Sequence, residues 1–280
     1  MKGIKYLMIA GIAALVLTSC DKKEVEGPWD IVTQQQAQVQ ILYETPVASA
    51  AANYIYTMVL GTDSIYNNGA ALISNYNGTP GGSTGLFYTV KAGENALKLL
   101  LKDGTVVYDK KFTVEAGHKY QVYVPEYDKD PIVIDSGTIP LLVTTNTAEY
   151  FAVRLVNMMW ETPLQRPDYK LQLRIQNDQS KEYEPWGKPV AFGEATEWLT
   201  PPLHKTTFNS SGSQRINLDL VMIDASGKEL GRMKYTKSTG AEAEFTDYWT
   251  ETIGRGYVWI LHGTRGDKVA PVAISQGTLR

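Results

Sequence analysis

The chain has 280 residues, of which 43% are hydrophobic and 20% are charged, and its formal net charge is −3. A chain of this length can form two domains of ordinary size. Its mild acidity excludes the basic field that nucleic-acid binding needs, and its hydrophobic fraction is too high for a disordered protein. We therefore expect a folded protein that does not bind nucleic acid.

The first 19 residues have the pattern of a sorting signal. Lys2 and Lys5 precede an apolar stretch over residues 6–17, which is too short to span a bilayer, since a transmembrane helix needs about 20 apolar residues. The stretch ends in Leu17-Thr18-Ser19-Cys20, which resembles the lipobox of bacterial lipoproteins. In that family the cysteine sulfur is acylated and the chain is cut just before the cysteine.

The cysteine count supports lipidation of Cys20. This residue is the single cysteine of the chain, so it cannot form an internal disulfide, and an unpaired thiol is unusual in an exported protein. An ordinary secretory signal with an incidental cysteine is the alternative. The resemblance implies a signal peptide over residues 1–19, a lipidated tether over residues 20–37 and attachment to the outer membrane. It leaves open whether the protein faces the periplasm or the cell surface.

Alternation with a period of two predicts β-strands along most of the chain. The clearest runs cover residues 120–124, 151–155, 171–175 and 216–222. Each is read as a strand with one face in a core and the other in water, which is typical of antiparallel sheets. No comparable segment has apolar residues at helical spacing. The sequence therefore predicts an all-β fold in which antiparallel sheets pack as sandwiches.

Turn chemistry predicts two hairpins. Asp103-Gly104 separates two extended runs, and Asp-Gly suits a type I′ turn because that turn needs φ > 0 at both central residues. Asp224-Ala225-Ser226-Gly227 separates a second pair of extended runs in the same way. We expect both segments to connect neighbouring antiparallel strands.

The two hairpins suggest an internal duplication. The matching segments are residues 38–42 with 152–156, residues 104–113 with 227–236 at an offset of 123, and residues 117–122 with 256–261 at an offset of 139. Order and spacing agree at all three places, although any two hairpins look alike at this level. A duplication predicts two similar units, over residues 38–143 and 144–280.

Together these features resemble the tandem β-sandwich lipoproteins of uncharacterised function from Gram-negative bacteria, whose domains are immunoglobulin-like or transthyretin-like. The resemblance is carried by the lipobox, the opening strand, and the turns Val90-Lys91-Ala92-Gly93 and Val114-Glu115-Ala116-Gly117, each of which introduces a strand. It implies two tandem antiparallel β-sandwich domains behind a lipoprotein signal. That family has no known catalytic residues, so the resemblance implies none here.

No set of residues predicts catalysis or a bound cofactor. Gly81-Gly82-Ser83-Thr84-Gly85 matches the G-x-S-x-G pattern of serine hydrolases, but that mechanism needs a helix after the serine, and a strand is predicted here. Asp128, Asp130 and Asp135 surround a loop without the spacing of a calcium-binding EF-hand, which leaves only a loosely held calcium ion open. The three histidines and one cysteine form no zinc set. We expect a protein that is not an enzyme and holds no metal or cofactor.

Aromatic residues in the second half are the candidates for ligand binding. Residues 179–205 and 237–255 are predicted to be extra loops relative to the first unit, and loops on a rigid sandwich are where binding residues concentrate. An indole ring can stack on the apolar face of a sugar, and it suits a protein partner equally well. The alternative is that these rings only pack the ends of the sandwich. The candidates are Trp186, Trp198, Tyr248 and Trp249.

The resulting hypothesis is a non-enzymatic, lipid-anchored protein of the cell envelope that binds glycan at the cell surface in an uptake system. The alternative is a structural or adhesin-like component of an envelope complex. The expected partners are the membrane, through the lipid anchor, and either a glycan or an envelope protein.

Overall fold

The computed structural model describes residues 35–47, 50–74, 80, 86–140, 148–204, 207–268 and 270–278. These residues form twenty strands and one 3₁₀ turn at Ala51–Asn53, with no α-helix among them, which confirms the all-β prediction. Nor does the described part contain a helix that is long and apolar enough to cross a membrane. Cys20, Ser83 and the predicted boundary between residues 143 and 144 lie outside the described residues.

The first unit is a sandwich of two four-stranded sheets. Its strands are β1 (Gln36–Tyr43), β2 (Thr57–Leu60), β3 (Asp63–Tyr66), β4 (Tyr88–Lys91), β5 (Gly93–Leu100), β6 (Val106–Val114), β7 (Lys119–Val124) and β8 (Ile132–Asp135). One sheet has the order β4-β1-β7-β8 and the other has the order β3-β2-β5-β6. All neighbours are antiparallel except β1 and β7, which are parallel.

The second unit repeats this plan with additional strands. They are β9 (Ala148–Tyr150), β10 (Ala152–Asn157), β11 (Lys170–Gln176), β12 (Tyr183–Val190), β13 (Pro202–His204), β14 (Ser213–Ile223), β15 (Glu229–Arg232), β16 (Lys234–Thr236), β17 (Glu242–Glu244), β18 (Thr246–Thr252), β19 (Gly256–His262) and β20 (Ala273–Thr278). One sheet has the order β10-β19-β20, and a five-stranded sheet has the order β12-β11-β14-β15 with β18 also on β14. Two short pairs, β9 with β13 and β16 with β17, complete the unit.

Each sandwich encloses its own core, because inward-facing apolar residues alternate with outward-facing residues along the strands. In β11, Leu171 and Leu173 are fully buried in the second core. Arg174, on the opposite face of the same strand, forms an ion pair with Asp219 of β14. The alternation predicted over residues 171–175 is therefore confirmed.

Four strands are buried on both faces, which contradicts the expectation of one wet face. In β7, Val122 belongs to the first core, whereas Tyr123 belongs to a third apolar cluster between the two sandwiches. Strands β1, β10 and β19 are divided between a core and this cluster in the same way. The cluster contains Leu42, Tyr123, Ile134, Val156, Met158, Val258 and Ile260. The sheets that contain β1 and β10 thus pack against each other, giving four sheet layers.

Polar contacts cross the same interface between the sandwiches. The Arg154 guanidinium donates a hydrogen bond from Nη1 to the Asp135 carbonyl oxygen at 2.6 Å. Farther along, Arg166 Nη2 lies 3.2 Å from Oε1 of Glu126, a carboxylate that is itself almost fully buried. The two units are therefore joined both by an apolar cluster and by ion-pair and hydrogen-bond contacts at its margins.

Equivalent tyrosines confirm the common chain path of the two units and correct its register. The Glu115 N–H donates to the Tyr120 hydroxyl at 3.1 Å, and the Thr252 N–H donates to the Tyr257 hydroxyl at the same distance. Both tyrosines lie in the strand that pairs in parallel with the opening strand of the unit. Tyr120 therefore corresponds to Tyr257, which makes the offset 137, and the predicted offset of 139 was wrong by two residues.

Both predicted hairpin turns are present, but the predicted turn type was wrong. The Leu101 N–H donates to Thr105 O at 2.9 Å, and the Gly104 N–H donates to Leu101 O at 3.1 Å. Gly104 has φ 85°, whereas Asp103 does not have a positive φ. This is a three-residue loop, a type I turn followed by a left-handed glycine, rather than a type I′ turn. Residues 224–228 repeat both hydrogen bonds, at 2.9 and 3.0 Å.

The extra residues of the second unit interrupt one strand. In the first unit β6 pairs with β5 along its whole length, whereas in the second unit β15 and β18 pair with successive parts of β14. The β16–β17 hairpin lies between β15 and β18 in the chain. Most of residues 237–255, predicted to be a loop, therefore belong to strands.

Candidate functional site

A groove opens at one end of the second sandwich, where β14 begins and where β11 turns into β12. It has a volume of about 90 Å³ that water-sized molecules can occupy, and it is partly open to solvent. Its apolar wall consists of Ile175, Trp186, Pro201, Pro202 and Ile216. Its polar rim includes Asn177, Asp178, Lys181, Glu184, Gln214 and Arg215. The groove thus combines a large aromatic side chain with charged and amide groups.

A side-chain-stabilised turn between β11 and β12 builds one side of the rim. Asn177 Oδ1 accepts hydrogen bonds from the N–H groups of Gln179 at 2.9 Å and Ser180 at 3.2 Å. The Lys181 N–H donates to the Asn177 carbonyl at 2.9 Å, and Lys181 has a left-handed φ of 62°. Asparagine favours such turns because its side chain replaces a backbone acceptor. This turn fixes where Asp178 and Lys181 stand at the rim.

Both acids of the rim have partners within the rim. Lys181 Nζ lies 2.9 Å from Asp178 Oδ1, and this hydrogen bond is the main reason that the pKa of Asp178 is lowered. Glu184 Oε1 accepts a hydrogen bond from Asn177 Nδ2 at 2.9 Å. The Lys181 side chain is largely exposed, so its ion pair contributes little to stability. The contacts still hold both carboxylates in fixed directions.

Trp186 borders a bulge in β12. Leu171 pairs with Val190 and Leu173 pairs with Trp186, so β12 has two more residues than β11 over this stretch. Gln172 Nε2 donates to the Trp186 carbonyl at 2.8 Å and thereby closes the bulge. Because the bulge adds an even number of residues, the alternation is kept, and Trp186 lies on the same sheet face as its partner Leu173, which is fully buried in the second core. The half-buried indole packs on the second core and also lines the groove.

Tyr248 borders the groove through Arg215. The guanidinium carbon of Arg215 lies 3.6 Å from the centre of the Tyr248 ring, and the ring is 51% exposed. Arg215 Nε also donates to Asn217 Oδ1 at 3.0 Å. A cation–π contact together with a hydrogen bond in the guanidinium plane restricts the orientation of that group. Arg215 lines the groove, whereas Tyr248 lies on the outer side of Arg215.

The other two candidates lie elsewhere. Trp198 Nε1 donates to the Ser136 carbonyl at 2.7 Å, and its ring packs on the cluster between the sandwiches. Trp249 is opposite Ile216 in β18 and packs on the second core. Trp186 and Trp249 are in strands, so their predicted placement in loops was wrong. The four aromatic residues therefore do not form one surface, and of them only Trp186 lines the groove.

The histidines and aspartates considered from the sequence occupy separate places. His118 Nδ1 lies 2.6 Å from Asp135 Oδ2, and this hydrogen bond raises the pKa of the exposed His118 ring. Asp128 and Asp130 are exposed between β7 and β8. His204 lines the groove. In the described ranges, no three His, Cys, Asp or Glu side chains come together in a way that could hold a metal ion.

Sequence patterns alone did not single out several groove residues. Asn177-Asp178-Gln179-Ser180 is a recognisable turn signal, and it could have identified Lys181 as a residue at a loop. Arg215 has no comparable local signal, because its position depends on the pairing of β14 with β18. Its importance follows from Tyr248, which approaches it from the neighbouring strand.

Comparison with known proteins identifies no family. No protein-family model and no curated protein matches the chain. A leucine-rich repeat protein from Bacteroides thetaiotaomicron VPI-5482 is similar at 10% identity and TM-score 0.24, over 84% of this chain and 27% of that chain. A "putative adhesin" from Bacteroides ovatus is similar at 9% identity and TM-score 0.20, over 88% of this chain and 95% of that chain. Similarity this low carries no argument about function, which must be inferred from the groove itself.

Proposed function

We propose that this protein is a non-enzymatic, lipid-anchored protein of the bacterial cell envelope that binds glycan in the groove of its second sandwich. The anchor is the lipid on Cys20, and the membrane is the outer membrane. The observation that carries the proposal is the position of the half-buried Trp186 indole in a groove with a polar rim.

The chemistry of the groove suits a sugar ring. Sugars have an apolar face of C–H groups, which packs on an aromatic ring, and a periphery of hydroxyl groups, which need hydrogen-bond partners. Trp186 provides the ring, and Pro201 and Pro202 extend the apolar wall. Charged and amide side chains around this wall provide donors and acceptors at fixed positions. An apolar wall with a few directed polar groups is the usual composition of a small-ligand site.

Affinity electrophoresis of the protein through gels that contain different polysaccharides tests this function. We expect at least one polysaccharide to retard the protein, and Trp186→Ala to weaken the binding by about tenfold or more, as for a buried aromatic anchor. Tyr66→Ala is the matched control, because Tyr66 is a 67% exposed aromatic residue of the first unit. Thermal unfolding of both variants shows whether they remain folded. Absence of retardation with every polysaccharide would refute the proposal.

The proposed anchor has its own test. The wild type and Cys20→Ala are expressed in a Gram-negative host, and their membrane fractions are analysed by mass spectrometry. The comparison shows whether lipid on Cys20 attaches the protein to the membrane. We expect the wild type in the outer-membrane fraction with acyl chains on its N-terminal peptide, and the variant without lipid in the soluble fraction. A wild-type protein that lacks acyl chains would contradict the anchor without affecting the groove.

An adhesin-like component of an envelope complex is the second candidate. The observation that favours it is the apolar interface that joins the two sandwiches into one body, because a rigid body suits an assembly component. Crosslinking in the native envelope distinguishes the two proposals. A stable protein partner that persists in the Trp186→Ala variant supports assembly, whereas a protein recovered free throughout argues against it.

A further inference from the structure

The amide groups around the groove are held by hydrogen bonds to one another and to the backbone. The Oε1 of Gln176 accepts from Asn217, and the Oδ1 of Asn217 accepts from Arg215. The Oε1 of Gln214 accepts from the His204 N–H at 3.1 Å. The amide N–H groups are engaged in the same way, since Gln176 Nε2 donates to the Lys181 carbonyl at 2.9 Å and Asn177 Nδ2 donates to Glu184 Oε1 at 2.9 Å. The amides therefore favour neither donors nor acceptors on a ligand, and the charged groups of the rim decide the ligand class.

Arg215 is the cation of the rim that has no carboxylate partner among the described residues. Lys181, the other cation, is paired with Asp178. The Nε of Arg215 donates to Asn217, and its face lies on the Tyr248 ring, so the two Nη groups are the donors that remain for a ligand. An arginine fixed in this way presents two parallel N–H groups that match the two oxygens of a planar anion.

We propose that the groove selects an acidic glycan, in which the carboxylate of one uronate binds the Nη groups of Arg215 and a neighbouring sugar ring packs its apolar face on Trp186. This inference rests on the proposed glycan function and specifies the ligand class for the same site. Attraction by the whole protein does not account for such a preference, because the chain has a net charge of −3. The selectivity must therefore come from local groups. Among the described rim residues, Arg215 is the cation without a carboxylate partner, and Glu184, which accepts from the neutral Asn177 amide, is the acid without a cation, so a uronate has to bind on the Arg215 side of the groove.

Titration of the full chain with matched polysaccharides tests the ligand class. Polygalacturonate and the galactan made from it by reduction of its carboxyl groups differ only in the carboxylate, and dextran sulfate and dextran provide the same comparison for a sulfate group. We expect polygalacturonate to bind more tightly than galactan and dextran sulfate. We also expect Arg215→Gln to weaken polygalacturonate binding by about 10- to 100-fold, the usual effect of losing hydrogen bonds to a charged group. Arg255→Gln, at an exposed arginine between β18 and β19, should leave the affinity unchanged.

The outcomes separate this inference from the proposed function. Galactan and polygalacturonate could bind equally well, with an affinity that Arg215→Gln does not change and Trp186→Ala abolishes. That result would overturn the acidic-sugar assignment and retain the glycan function. Tighter binding of dextran sulfate than of polygalacturonate, if Arg215→Gln weakens it, would overturn the assignment of a uronate. The ligand group would then be a sulfate ester. A wild-type protein that binds no polysaccharide would refute both proposals together.

Discussion

Replacement of the buried acid Glu251 by glutamine should stabilise the protein at neutral pH. Glu251 is fully buried in β18. It occupies the position that Val114 has in the first unit, since each residue precedes the equivalent tyrosine of its unit by the same number of positions. Its Oε1 accepts hydrogen bonds from Trp259 Nε1 at 2.8 Å and Gln276 Nε2 at 2.7 Å. Glu251→Gln keeps an oxygen for both bonds and removes the ionisable group.

The size of the expected stabilisation follows from the pKa of the Glu251 carboxyl. Burial raises the pKa of Glu251 from 4.5 to about 7. Between pH 4.5 and about pH 7, Glu251 of the folded protein holds a proton that the unfolded chain has released. The free energy of unfolding of the wild type therefore falls as the pH rises through this range. At about 1.4 kcal/mol per pH unit, the wild type loses at most roughly 3 kcal/mol by pH 7 through this group. The glutamine variant does not titrate here, so its advantage should grow from near zero at pH 4 to that value at pH 7.

Urea denaturation at several pH values measures this difference in unfolding free energy. The difference between variant and wild type is needed, because burial lowers the pKa of His262 to about 4 and gives the wild type an opposing slope below pH 6.5. Glu94→Gln is the control, since Glu94 is an exposed acid of the first unit. A pH-independent difference between Glu251→Gln and the wild type would refute the reasoning.

Four further substitutions test the fold by the same denaturation assay. Glu44→Gln should also stabilise the protein increasingly from pH 4.5 upward, because burial raises the pKa of Glu44 well above its usual value; no gain by pH 8 would contradict this. Tyr120→Phe and Tyr257→Phe should each lower the unfolding free energy by about 1 kcal/mol, and a loss confined to one of them would argue against their equivalence. Met158→Ala, in the cluster between the sandwiches, should cost about 2 to 5 kcal/mol, whereas a loss below 1 kcal/mol would indicate a loosely packed interface.

The fold was predictable wherever the two faces of a strand differ in chemistry. In β11 the buried leucines alternate with polar residues, so the period of two identifies both the strand and its inward face. In β7 the second face carries Gln121 and Tyr123, and both are buried because that face lies against the other sandwich. The alternation of β7 therefore predicts the strand but not the burial of its second face. Which surface covers its second face depends on residues that are distant in the chain.

The candidate site was less predictable because distant segments assemble it. Trp186 was singled out for its residue type, and its place at the groove follows from its pairing with Leu173 of β11, which is buried in the second core. Trp198 has the same residue type and neighbouring prolines, yet its indole N–H bonds to Ser136 of the first unit. Local sequence could not distinguish the position of Trp186 from that of Trp198, because the first depends on a partner strand and the second on the other sandwich.

The interface between the sandwiches also determines where the groove lies relative to the proposed anchor. Arg154, near the start of β10, contacts Asp135 beside the start of β7, whereas Arg166, beyond the end of β10, contacts Glu126 beyond the end of β7. Strands β7 and β10 therefore run in the same direction, and so does β1, which is parallel to β7.

The groove lies at the starting end of these strands. Ser213, the first residue of β14, pairs with Thr252, and the Gly254 N–H just beyond donates to Tyr150 beside the start of β10. Since β1 begins at the same end, the chain that leads from the proposed anchor enters the body on the side where the groove lies. The chain between Cys20 and β1 spans at most about 58 Å when fully extended. A glycan bound in the groove would therefore lie at the end of the body to which the proposed tether is joined rather than at the opposite end.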